Sequence, residues 1–182
     1  MTEEYRSITD DPQTVQHELG IALSPFNSPV EVGVRVLMIL VEAYPQVLDV
    51  NRLVLLDHGV LHSADLGGPQ SLHPPLPIRA GELGVKRETI EAGLELMLRV
   101  GLIEMAATAD GVQFQAGDEA LHFVQVLESP YAAELHGRVR WVLQHFDDLS
   151  EDALRGQMRT IFDSWSEEFH AATGSLNDGM EP

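Results

Sequence analysis

Residues 76–117 read LPIRAGELGVKRETIEAGLELMLRVGLIEMAATADGVQFQAG, and the fold turns on how this stretch is divided. The spacing predicts a short helix over Ala80–Leu83 that ends at Gly84, where a tight turn is cheap because glycine accepts positive φ. A second helix is expected over Lys86–Val100. Its apolar residues Ile90, Leu94, Met97 and Leu98 recur at helical spacing on one face. Gly101 is the stop signal. Leu102–Ala107 and Val112–Gln115 then alternate as short strands around Asp110-Gly111, a strong hairpin signal. Helix, turn, helix and hairpin in that order predict a winged helix-turn-helix with a small β-wing.

Working outward, Ser28-Pro29 is a cap followed by a first-turn proline, so a helix should begin there and stop before Pro45. Glu31, Arg35 and Glu42 form its narrow polar stripe. The rest, including Val30, Val34, Leu37, Met38 and Val41, is apolar, and a helix this apolar must be covered on most sides. The cover is either the chain itself or a partner: a homodimer or another subunit. Asp49 or Asn51 can cap the next helix, expected over Val50–Ser63, with Leu53, Leu56, Val60 and Leu61 facing inward. In this reading it is the first helix of the winged unit, and Asp57, His58, His62 and Asp65 are polar groups on a half-exposed helix and its loop. Leu66–Pro77 is too rich in Gly and Pro to be helical. It reads as an ordered surface loop leading into the unit's first short strand.

Beyond the wing, Ser129-Pro130 opens a helix lined by Leu135, Val139, Val142, Leu143 and Phe146. Ser150-Glu151-Asp152 opens another, with a seam of Leu154, Met158, Ile161, Phe162, Trp165 and Phe169. The short connection makes the pair antiparallel. The expected fold class is therefore mostly α (α+β). It divides into a weakly ordered arm (1–24), a winged-helix domain with an N-terminal buried helix (25–125), a C-terminal two-helix extension (126–171) and an acidic tail (172–182).

Charge narrows the function. Twenty-nine acids against eleven bases give −18 over 182 residues, and Lys86 is the sole lysine. Duplex binding draws on Lys and Arg at phosphates, so the chain as a whole should be repelled by a polyanion. Arg79, Lys86 and Arg87 stand where a winged helix would place DNA contacts, but Glu88, Glu91 and Glu95 share the solvent side of the same helix. The chain has no cysteine, which excludes disulfides and thiolate zinc sites and fits the cytoplasm. No apolar run is long enough to span a bilayer.

Catalytic patterns are missing from the sequence: no GxSxG elbow, no GxxxxGK[ST] loop and no dinucleotide fingerprint. His58 and His62 share a helical face, as a metal pair requires, but there is no HExxH and no third ligand at a characteristic spacing. A small metallo-hydrolase built on His58, His62 and Asp65 stays as an alternative. So does a winged-helix DNA-binding transcriptional regulator. The reading preferred over both is a non-enzymatic interaction subunit, whose partner-facing residues would be Val34, Met38, Trp141, Phe146, Phe162, Trp165 and Phe169.

Several phrases resemble one family. Pro25-Phe26-Asn27-Ser28-Pro29 with Glu31-Val32-Gly33, the run from Leu61 to Pro69 with Ser71-Leu72-His73-Pro74, Arg79 to Leu83, Ser129-Pro130-Tyr131, and Arg140-Trp141 are similar to the middle component of bacterial ABC-three-component systems. These systems resemble Lamassu-type antiphage defence operons. The resemblance covers about residues 25–169. It implies a small subunit without cofactor beside an SMC-like, Rad50-like coiled-coil ATPase and an effector, often a nuclease. It carries no catalytic residues, and any DNA contact would be indirect or weak.

Overall fold

The computed structural model describes residues 28–74, 82–109 and 111–147, with 153 and 156. Helix α1 spans Pro29–Ala43. The Ser28 hydroxyl accepts from the Glu31 amide at 3.3 Å, and Pro29 occupies the first position, where its missing N–H costs nothing. Helix α2 spans Val50–Leu61, with Asp49 accepting from the Arg52 amide at 2.8 Å. It ends two residues before the expected Ser63, where a 3-10 turn over Ser63–Leu66 closes on Gly67 at φ 73.

Helix α3 spans Glu82–Arg99 without interruption. The turn expected at Gly84 is not there: the helix runs through it. One glycine in a helix costs about 1 kcal/mol, which an 18-residue helix with a buried face easily offsets. The stop at Gly101 occurs as expected, with φ 74. The Leu102 amide donates to Met97 O at 3.0 Å and the Gly101 amide to Leu98 O at 3.1 Å, the paired bonds of a Schellman cap.

Strands β1 (Ile103–Thr108) and β2 (Gly111–Ala116) form an antiparallel hairpin, with Ile103 opposite Ala116 and Met105 opposite Phe114. Residues directly opposite share a face, so Ile103, Met105, Ala107, Val112 and Phe114 make one apolar side. Its base is buried at Ile103 and Phe114, whereas Met105 and Val112 run out past the core. A third partner comes from an unexpected place. Leu48, between α1 and α2, exchanges two backbone bonds with Phe114, at 2.9 and 2.8 Å.

A short helix that periodicity did not reveal, α4 (Ala120–Gln125), precedes α5 (Pro130–Phe146). The Ser129 hydroxyl caps α5 by accepting from the Ala132 amide at 3.0 Å. Leu135, Val139, Val142 and Phe146 are buried, as their spacing implied. They pack into the same core as α1 and α2. The partner helix expected over 150–169 lies outside the described residues, as does the arm.

The architecture is thus mostly helical, with five α-helices and one two-stranded antiparallel sheet among the described residues. Helix α1 is its axis. Val36, Leu37, Ile39 and Leu40 are each fully buried, with α2, α3, α4, α5 and β2 packed around them. The chain itself therefore supplies the cover that so apolar a helix demanded. Close approach of α1 to α3 depends on two glycines. A Cβ on Gly93 would sit 2.8 Å from the Gly33 nitrogen and 3.0 Å from Pro29 O, inside any allowed contact.

Candidate functional site

Where α1, α2 and α3 meet, the core holds charge. Arg35 projects from α1 and is 1% exposed; Asp57 projects from α2 and is 0% exposed. Arg35 Nε donates to Asp57 Oδ1 at 2.8 Å, and Nη2 lies 3.5 Å from Oδ2. The remaining edge of the guanidinium donates from Nη1 to Glu31 at 3.2 Å, one helical turn back. The chain's sole lysine completes the junction: Lys86 Nζ, on α3, is 3.3 Å from Asp57 Oδ2. Two cations thus meet two carboxylates.

Burial by itself would push the Asp57 carboxyl up, but Lys86 and Arg35 outweigh it and hold the group at about 2. For Arg35, burial opposes the charge, and Asp57 and then Glu31 overcome that opposition, so the guanidinium is more basic than in water. Asp57 and Arg35 therefore both carry their charge at neutral pH. A buried pair of this kind adds little over an apolar replacement, but it cannot lose one partner cheaply.

A line of rings runs outward from this junction. His58 and His62 are buried and stacked, with centroids 4.8 Å apart and planes at 26°. His62 meets His73 edge-on at 6.5 Å. His73 Nε2 lies 3.0 Å from the Tyr131 hydroxyl on α5. Burial, then the charge of Arg35, lowers the pKa of His73, and burial raises that of Tyr131. The loop carrying His73 is tied down by its own amide and that of Leu72, both donating to Leu61 O, at 3.2 and 3.0 Å.

Several expectations change here. Arg35 is not part of a solvent stripe; its neighbours on three helices leave it no water and supply its counter-charges instead. Asp57, His58 and His62 are not half-exposed but almost wholly buried. His58 Nε2 does approach Asp65, at 3.8 Å. Rings stacked face to face do not aim their nitrogens at a common point, and among the described residues no group of three His, Cys, Asp or Glu is placed to hold a metal ion.

The expected partner-facing residues divide. Met38 and Phe146 are each 1% exposed, inside the chain's own core, and offer no surface. Val34 is half-buried beside a groove between α1 and α5. Trp141 is half-buried too. It lies across Gly68, where a Cβ would fall 2.3 Å from the indole, and it stacks on His145. Phe162, Trp165 and Phe169 lie outside the described residues. Of the three expected DNA contacts, Arg79 also lies outside them, Lys86 is buried in the junction, and Arg87 is exposed but held by Asn51 at 2.6 Å and Glu91 at 3.0 Å.

The sequence placed Arg35 on a polar stripe and offered His73 and Tyr131 only within the family phrases, so none of the three was expected at a site. The available signal was Arg35 itself, a charge set in the apolar run from Val30 to Val41.

No curated protein and no solved structure matches the chain. The family model for the ABC-three component (ABC-3C) system Middle Component 2 matches residues 25–168. That span takes in every helix and strand described above, the charged junction and the ring line included, so the chain belongs to the Middle Component 2 family of ABC-three component systems.

Proposed function

We propose that this chain is a non-catalytic winged-helix subunit of a Lamassu-type antiphage defence complex in the cytoplasm. In that complex it bridges an SMC-like, Rad50-like ATPase to an effector. The observation that carries the reading is the family match over residues 25–168, because a middle component of a three-component system works among other subunits.

The element order supports a winged helix in a different frame from the one the sequence suggested. Helix α1, the strand residue Leu48, helices α2 and α3, and the hairpin follow one another in winged-helix order. In this frame α1 is the first helix of the unit, and α2 and α3 form the helix pair.

Charge supports a protein partner over DNA. On α3, Glu88, Glu91 and Glu95 are exposed, and of its described cations Lys86 is buried and Arg87 and Arg99 are paired. Asp57, the most buried carboxylate described, is committed to Arg35 and Lys86, which supports a structural part for it rather than acid–base work.

Co-expression with the other two components, followed by affinity capture of this chain, tests the proposal. At least one component should be retained through washing. Recovery of neither, with all three proteins soluble, sinks it. Sequence-specific retardation of duplex DNA at low salt would favour the transcriptional-regulator alternative instead.

A further inference from the structure

The geometry points to the groove between the first half of α1 and the segment leading into α5 as the docking site for a basic, apolar-anchored segment of another component. The inference rests on the reading of this chain as a subunit and names the surface that reading requires.

The row Val30, Val34, Met38 descends along one side of α1. Val30 is 58% exposed, Val34 half-buried and Met38 1% exposed, so the row slopes from solvent into the core. Facing it are Val126, Leu127 and Leu135. Between the two walls is a groove of about 400 Å³, room for one or two large side chains. Its rim is unusually apolar for a solvent surface: Val126 is 70% exposed and Tyr131 37%. Exposed apolar residues gathered on a concave site mark a contact surface better than single ones scattered over a convex one.

Charge selects the occupant. Glu128 lies on the lining and Glu134 is exposed one turn into α5. Among the described residues the exposed cations, Arg87, Arg99 and Arg140, are each paired with a glutamate and none of them lines the groove, while Arg35 on its lining is committed to Asp57 and Glu31. A second copy would bring another −18 to the same place. Residues 1–24 carry five acids against one arginine and repel the rim in the same way. A segment that buries a large apolar side chain and sets Lys or Arg against Glu128 meets no such opposition.

Capture of the other two components by the full chain provides the test, with binding measured for wild type, Val126→Asp, Glu128→Lys and the hairpin control Met105→Asp. All three sites are exposed, so melting temperatures should match wild type. The two groove variants should each weaken capture of one component by more than about tenfold, with Met105→Asp within about twofold. Wild-type capture that both groove variants leave intact overturns the groove and spares the subunit reading. Wild type capturing neither component overturns both. A wild-type dimer that Val126→Asp converts to monomer, or a groove opened to the partner only when residues 1–24 are removed, assigns the groove to the chain itself and overturns the proposal.

Discussion

Two sides of the first half of α1 invert the usual sorting of residues in opposite senses. On one, Arg35 is charged and buried; on the other, Val30 is apolar and exposed. The buried charge is satisfied within the chain, by Asp57 and Glu31 with Lys86 alongside. The valine stays 58% exposed, with no comparable cover among the described residues. The difference separates what the described residues satisfy among themselves from what they leave open to solvent. A buried charge must be answered during folding, since an unanswered one costs several kcal/mol. An exposed valine costs little in the free protein and yields its burial energy only on contact.

Substitutions can break this contrast, and the junction should give the largest effect. Asp57→Ala leaves two cations buried against a single glutamate and should destabilise by about 3–5 kcal/mol in denaturant titration. Replacing Arg35, Asp57 and Lys86 together by Met, Leu and Met should recover most of that loss. A triple variant as unstable as Asp57→Ala would show that the charges do more than cancel.

Acid titration probes the same contrast without mutation. Folding lowers the Asp57 carboxyl from 3.8 to about 2, so the folded state binds fewer protons in that interval. The stabilisation is complete above pH about 4 and is lost as pH falls through about 2, roughly 2 kcal/mol in all. His73 adds a milder slope of the same sign. Its folded pKa lies below 6.5, so stability should begin to fall as pH drops beneath that value. Asp57→Asn should flatten the first slope and leave the second.

Gly93→Ala tests the helix contact next to the junction. The added Cβ meets backbone of α1 at 2.8 Å, which no rotamer change relieves, and a loss of about 1–3 kcal/mol is expected on thermal melting. Ser129→Ala removes the α5 cap and should cost about 1 kcal/mol. At the other extreme, Val126→Asp should move stability by no more than about 0.5 kcal/mol. A large loss there would mean that the groove wall belongs to the core.

Much of the fold was legible in the sequence because its signals are local. Ser28, Asp49 and Ser129 cap the helices they precede, and Gly101 and Asp110-Gly111 mark a stop and a turn whatever surrounds them. The arrangement of the helices that precede the hairpin was not legible, for two reasons. Gly84 reads as a break, yet a helix with a buried face tolerates one glycine. Leu48 gives no strand signal, yet it pairs with Phe114 from far along the chain.

By itself the sequence determined the helix starts and stops, the hairpin, the apolar faces of α1 and α5, and a strongly anionic surface. Each follows from interactions within a few residues or from composition. Only the tertiary structure decided that Arg35, Asp57 and Lys86 meet, that the histidines of α2 are buried, and that Met38 and Phe146 belong to the core while Val30 and Val126 do not. Those outcomes depend on how three helices cross, and the crossing is set by packing between residues far apart in the chain.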